Sequence, residues 1–97
     1  MQFVVTAFDY TDANALERRM SQREAHLSGV HTLIAAGHFL SGGALLDEAG
    51  KMIGSSLHLE FPDRAALDTQ LAQDPYMSGK VWEKVEVRPV KLVPIPR

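Results

Sequence analysis

The pattern of hydrophobic and polar positions divides the chain into strands and helices. Residues Gln2–Asp9 are rich in β-branched and aromatic side chains and are too few for a core helix, which predicts a strand. From Asn14 to Ala36, apolar residues recur at steps of three and four, which predicts a helix. Asp12 is expected to cap this helix, and Gly37 is expected to end it.

The second half of the chain predicts a hairpin, a shorter helix and a last strand. The boundaries come from polar turns and prolines: a strand at about 38–46, a turn at 47–51, a strand at 52–61 and a helix ending near 73, which Asp63 caps. The segment Asp74-Pro75-Tyr76 is expected in a loop. The last strand should begin near Val81, with Pro89 at a bulge or a sheet edge.

The order β-α-β-β-α-β predicts an α+β, ferredoxin-like fold in which two helices cover one face of a four-stranded antiparallel sheet. The other face would then lie open. Because Val4 and Phe8 make that face of the first strand apolar, it should be buried, most economically against a second copy. We therefore expect a homodimer whose sheets pack face to face. The alternative is a monomer with a partly apolar open sheet.

Composition fits one domain spanning residues 1–97 and excludes several classes of function. The chain has 45% hydrophobic residues, no cysteine and a formal charge of −2. This charge argues against nucleic acid or an anionic membrane surface as partner, and no segment approaches the ~18 apolar residues that span a bilayer. Cysteine chemistry is absent, and the histidine spacing matches no metal motif. We expect a soluble, cytoplasmic protein without a metal.

Three polar residues lie along one side of the first predicted helix, where an amphipathic helix would not need them. Arg19, Arg23 and His26 fall at offsets of four and three. Two guanidinium groups and an imidazole can bind a carboxylate or other anion, and histidine can move a proton near neutral pH. The alternative is a solvated helix face in which Glu17 and Glu24 pair with the arginines.

The Asp-Pro pair after the second helix provides another candidate. Asp74 can form a couple with His26 if it reaches the first helix, which the topology allows because both helices lie on one sheet face. Tyr76 could add a hydroxyl on the rim of the same pocket. Alternatively, Asp74 only satisfies the backbone of a turn, and the Tyr76 ring fills the space under a loop.

The second predicted strand contains the segment Ser41-Gly42-Gly43. Paired glycines in a strand cost stability without packing a side chain, which favours a ligand approaching the backbone. A bulge would explain the same pair, and the spacing does not match a phosphate-binding loop.

The sequence resembles the YciI-like, or YCII-related, family of small proteins nearly end to end. Three segments carry the resemblance: LERRMSQREAHL (16–27), SGG (41–43) and DPYMSGKVWEKVEVRPVK (74–91). The resemblance implies a dimeric α+β barrel with a site around His26 and Asp74. The first-helix arginines of the family fall on Arg19 and Arg23. Many relatives have Gly-Pro where this chain has Gly42-Gly43, which implies a more flexible pocket wall.

The resemblance does not settle the reaction, because some relatives are dehalogenases of chlorinated muconolactones and similar folds isomerise lactones or oxidise small aromatics. Two functional hypotheses therefore remain open. The first is a cofactor-free enzyme for elimination, isomerisation or hydrolysis of a small anionic, lactone-like or aromatic-derived substrate. In it His26 moves a proton, Asp74 orients the imidazole, and Arg19 or Arg23 holds the anionic end without being needed for the fold. The second is a non-catalytic small-molecule-binding or dimerisation module.

Overall fold

The computed structural model describes residues 1–96, which form one antiparallel sheet of four strands in the order β2-β3-β1-β4. The elements, in chain order, are β1 (Gln2–Asp9), α1 (Ala15–Ala35), β2 (Phe39–Leu46), β3 (Met52–Glu60), α2 (Arg64–Gln73), α3 (Pro75–Ser78) and β4 (Trp82–Pro89). The predicted ferredoxin-like order is therefore confirmed, with α3 as an additional helix.

The hydrophobic core lies between the helices and one face of the sheet. In the central strand β1, Phe3, Val5 and Ala7 alternate with outward-facing residues and are at most 1% exposed. Val5 is in register with Leu57 of β3 and Val87 of β4, so the apolar positions of neighbouring strands share this face. The buried cluster also contains side chains from the helices, from the other strands and from the segments next to those strands: Leu59, Phe61, Leu67, Leu71, Tyr76, Val81 and Trp82.

The opposite face of the sheet is open in one chain. It carries Val4, which is in register with His58 of β3 and Arg88 of β4, and Phe8, which is 41% exposed. The helices cover only the face that carries Val5. The two-sided apolar pattern of β1 thus corresponds to one covered face and one partly apolar, uncovered face.

The start of α1 differs from the sequence-based expectation. Asn14, not Asp12, is the N-cap residue, and its side chain makes no capping hydrogen bond. The Asp12 carboxylate instead accepts the backbone N–H of Asn14 at 3.2 Å and two guanidinium N–H groups of Arg18 at 2.8 Å. The hydrogen bond from Arg18 lowers the pKa of Asp12 to about 2. The helix ends as predicted, before Gly37 with φ of 79°.

The second half of the chain confirms the predicted cap of α2 and the edge position of Pro89, and it corrects one local assignment. Asp63 caps α2 by accepting the Ala66 backbone N–H at 2.8 Å. The segment expected to be a loop after Asp74 is the short helix α3, with proline at its first turn. Pro89 ends β4, which is an edge strand, so the edge alternative is confirmed. The register shift in the β1–β4 pair lies between Phe8 and Asp9, so Pro89 does not mark a bulge. Within residues 1–96 no helix is long and apolar enough to cross a membrane.

Candidate functional site

A cavity of about 230 Å³ lies between α1 and the β2–β3 half of the sheet. Cavities of ~150 Å³ in protein interiors accept a benzene ring, so this volume suits a molecule with one ring. Most residues selected from the sequence contribute to its wall: Arg19, Arg23, His26, Gly42, Gly43 and Tyr76. The cavity is where residues from α1, β2 and α3 meet.

His26 and Asp74 are in direct contact beside this cavity. The Nδ1 atom of His26 lies 2.9 Å and 3.0 Å from the two carboxylate oxygens of Asp74. Because a carboxylate only accepts hydrogen bonds, Nδ1 carries a proton and Nε2 is the nitrogen left for a ligand. The same carboxylate caps α3 by accepting the backbone N–H of Tyr76 at 2.8 Å. Asp74 therefore satisfies a turn and contacts the histidine at once.

Tyr76 forms a buried wall of the cavity rather than its rim. Its ring stacks on the imidazole of His26 with centroids 3.9 Å apart and planes 7° from parallel. The guanidinium carbon of Arg19 lies 4.8 Å from the same ring. Burial raises the pKa of Tyr76, so its hydroxyl stays protonated at neutral pH and can donate a hydrogen bond.

Arg19 belongs to the protein core, contrary to the expectation that it is dispensable for the fold. Its side chain is 3% exposed, and Nη1 lies 2.9 Å and 3.0 Å from the two carboxylate oxygens of Asp9. The partner is therefore Asp9 rather than Glu17 or Glu24. Burial raises the pKa of Asp9, although the hydrogen bond and charge of Arg19 act against this shift. The alternating pattern could have revealed Asp9, because it falls in phase with the inward residues of β1.

Arg23 differs from Arg19 in its surroundings. It is exposed and lines the cavity, and no carboxylate within residues 1–96 forms an ion pair with it. Of the two arginines on this side of α1, Arg23 is the one whose charge remains available to an anionic ligand.

Gly42 brings the β2 backbone against the cavity at a position where a side chain would not fit. A Cβ atom there would lie 2.8 Å from Cζ of Phe39 and 2.9 Å from the carbonyl oxygen of Ser56. At Gly43 no atom lies within 4 Å of such a Cβ. Of these two neighbouring residues, only Gly42 therefore has to be a glycine.

Ser41 does not join the other candidates. It lies on the open face of the sheet, where its hydroxyl is 2.8 Å from Nδ1 of His58. The irregularity at the start of β2 falls between Phe39 and Ser41, so a bulge at the glycine pair does not account for the two glycines.

Two further residues of the site, Ser55 and Trp82, were not predicted as site residues from the sequence, which indicated only a packing or dimer-contact role for Trp82. The Ser55 Oγ accepts Nη2–H of Arg19 at 3.0 Å and Nε1–H of Trp82 at 3.1 Å. Trp82 also packs edge-on against the ring of His26 at 5.8 Å. Ser55 occupies an inward position between Ile53 and Leu57, and a polar residue at a core position was the available signal. Within the described chain, no three metal-ligating side chains cluster.

Structural comparison shows the same fold in proteins of different description. A 5-chloro-2-hydroxyhydroquinone dehydrochlorinase, TftG from Burkholderia phenoliruptrix, superposes with a TM-score of 0.81 at 23% identity and 94% coverage of both chains. A dimeric ferredoxin-like protein of unknown function from Jannaschia superposes with a TM-score of 0.53 at 13% identity, covering 94% of this chain and 98% of the other.

Sequence comparison identifies the family. The protein YciI of Escherichia coli O6:H1 is 34% identical over 99 residues, covering 96% of this chain and 99% of the relative. An uncharacterized protein of Haemophilus influenzae is 36% identical over 100 residues with the same coverage of both chains. Residues 1–91 match the YCII-related domain. The chain therefore belongs to the YCII-related family.

Proposed function

We propose that the protein is an enzyme that uses His26 for acid–base chemistry on a small oxyanionic substrate with one ring. The observation that carries the proposal is the contact of Nδ1 of His26 with Asp74 at 2.9 Å, beside a cavity lined by the same histidine. A general base must reach the substrate with a correctly oriented nitrogen, and this hydrogen bond orients the ring.

In the proposed step, Nε2 of His26 takes a proton from the substrate and the ring becomes an imidazolium. The negative charge of Asp74 stabilises that imidazolium and holds its orientation. Return of the proton to another substrate atom completes an isomerisation, and loss of a leaving group with its electron pair completes an elimination. If the proton comes from water, the same geometry supports hydrolysis. None of these steps requires a cofactor.

The size and charge of the cavity support the substrate class. Its volume of about 230 Å³ suits one ring, and apolar walls such as Leu57 and Phe39 suit the ring faces. Arg23 supplies a positive charge for an anionic end. The TftG dehydrochlorinase, described in complex with 2,5-dihydroxybenzoquinone, has a similar fold, and this supports the proposal by analogy only.

We further propose that the protein is a homodimer, a dimeric α+β barrel formed through the open face of the sheet. Val4 is half-buried and Phe8 is 41% exposed on this face, so a second copy would remove apolar surface from water. The ferredoxin-like protein from Jannaschia is described as dimeric, which supports this assembly by analogy.

The function is tested by incubating a metabolite extract with the protein and following all compounds by mass spectrometry. We expect the wild type to consume one small oxyanionic compound and His26→Ala to consume none. His31→Ala is the control, because His31 is an exposed histidine of the same helix. Equal consumption by His26→Ala would contradict the proposal. A compound that binds without being converted would favour the binding-module alternative.

A further inference from the structure

The hydroxyl of Ser55 has an unused hydrogen-bond donor. Its oxygen accepts N–H groups from Arg19 at 3.0 Å and from Trp82 at 3.1 Å. Guanidinium and indole N–H groups only donate, so neither neighbour can receive the serine proton. A hydroxyl has two acceptor positions and one proton, and here both acceptor positions are occupied.

The surroundings of Ser55 limit which groups can accept its hydroxyl proton. Within residues 1–96, this hydroxyl accepts two hydrogen bonds and donates none to another protein group. Ser55 is 2% exposed and contributes to the wall of the cavity. Because Ser55 lines the cavity, a ligand acceptor bound there is a candidate partner for this proton.

Arg19 provides a second, independent donor at the same place. Its Nε is buried and has no hydrogen-bond partner in the described part of the chain. Its other nitrogens are engaged by Asp9 and Ser55, and its side chain lines the cavity. Buried donors are almost always paired in folded proteins, so an unpaired N–H on a side chain that lines a cavity is a candidate donor to a ligand.

We propose that the Ser55 hydroxyl and Nε–H of Arg19 together bind a substrate oxygen on which negative charge develops during the reaction. We call these two groups the donor pair. Asp9 already neutralises Arg19, so the donor pair acts through directed hydrogen bonds rather than net charge. This favours a carbonyl, enolate or phenolate oxygen there, while Arg23 suits a permanently charged group.

The donor pair rests on the proposed function, because it acts on the molecule from which His26 takes a proton. It also limits the chemical class of that substrate. His26 removes a proton from the carbon next to a carbonyl, and the C–H electron pair forms a carbon–carbon double bond. The carbonyl π pair moves to oxygen, which the donor pair then stabilises as an enolate oxygen. The substrate is therefore a ring with a carbonyl group beside the carbon that loses the proton.

The donor pair is tested with two ring compounds that differ in one acceptor, pentafluorophenolate and pentafluorotoluene. Binding is followed by ¹⁹F NMR at mildly alkaline pH, where the phenol is ionised. We expect wild type to prefer the phenolate, and Ser55→Ala to weaken phenolate binding about tenfold while changing pentafluorotoluene binding less than about twofold. Ser56→Ala, on the opposite face of β3, is the control and should bind both compounds like wild type.

Each other outcome would overturn the donor pair. A wild type that binds neither compound, or shows no preference for the phenolate, has no oxyanion site in this cavity. Equal losses of both compounds in Ser55→Ala would assign Ser55 a purely structural role. Because binding is measured without turnover, failure of the acid–base proposal appears separately, as unchanged turnover in His26→Ala.

Discussion

Nδ1 of His26 lies 2.9 Å from Oδ1 of Asp74, and the same oxygen accepts the backbone N–H of Tyr76 at 2.8 Å. The helix cap therefore fixes the position of the carboxylate independently of any ligand. A group held by a second hydrogen bond needs less reorganisation when the histidine changes charge. This shared oxygen connects the short helix α3 to the chemistry proposed for α1.

Replacement of Asp74 by asparagine should separate its capping role from its charge. Asparagine is also a good N-cap, so we expect the free energy of unfolding to change by less than ~1 kcal/mol. Turnover should fall about 10²- to 10⁴-fold, the usual contribution of general acid–base catalysis. Ring ¹⁵N NMR should show Nδ1 of His26 protonated in wild type and a mixture of tautomers in Asp74→Asn. Asp68→Asn, at an exposed site, is the control, and unchanged turnover in Asp74→Asn would contradict the role.

Arg19 and Arg23 should respond very differently to alanine. Arg19→Ala leaves Asp9 buried without its partner, so we expect a loss of about 3–5 kcal/mol in the free energy of unfolding. Arg23→Ala, at an exposed position, should change it by less than ~0.5 kcal/mol. Urea unfolding followed by circular dichroism measures both. Equal effects of the two substitutions would contradict the predicted contribution of the Arg19–Asp9 pair to stability.

Tyr76 should remain protonated beyond the ordinary range of tyrosine. Burial raises the pKa of its phenol above the unfolded value of about 10. As the pH rises past ~10, the unfolded chain loses this proton before the folded chain does, so stability falls. The free energy of unfolding of Tyr76→Phe should therefore fall less over this pH range than that of wild type. Tyr10→Phe removes the other tyrosine and keeps Tyr76, so its fall should still include the part that is due to Tyr76. Ionisation of Tyr76 below the ordinary value would contradict this prediction.

The two neighbouring glycines offer a matched pair of substitutions. Gly42→Ala places a Cβ 2.8 Å from Phe39 and 2.9 Å from a carbonyl oxygen, so overpacking should cost about 1–3 kcal/mol. Gly43→Ala meets no atom within 4 Å and should stabilise the protein by about 0.4–1 kcal/mol, because alanine restricts the unfolded chain. Thermal unfolding measures both, and a stable Gly42→Ala would mean that Phe39 moves freely.

If the protein forms the proposed homodimer, a charge placed on the open face should change its mass in solution. Light scattering at micromolar concentration should give the mass of two chains for wild type and of one chain for Val4→Lys. Ala72→Lys adds the same charge on an exposed helical position and should remain dimeric. A wild type that is monomeric at all concentrations would contradict the assembly.

Local sequence was sufficient for most of the fold. The period-two and helical patterns, Gly37 after α1 and Asp63 before α2 each act through neighbours in the chain, and all appear in the structure. The loop expected after Asp74 was wrong because Pro75 fits the first turn of a helix as well as a turn. Spacing also placed Arg19, Arg23 and His26 on one side of α1.

Tertiary structure alone decided which groups those side chains contact. Arg19 and Arg23 are equivalent in spacing, yet only Arg19 points at Asp9, whose position depends on how β1 packs against α1. Ser55 lies 36 residues from Arg19 in the chain, and its hydroxyl accepts hydrogen bonds from two residues on other elements. Hydrogen-bond partners so distant in sequence are set by packing, because the chain pattern specifies which face a residue occupies and not what it meets there.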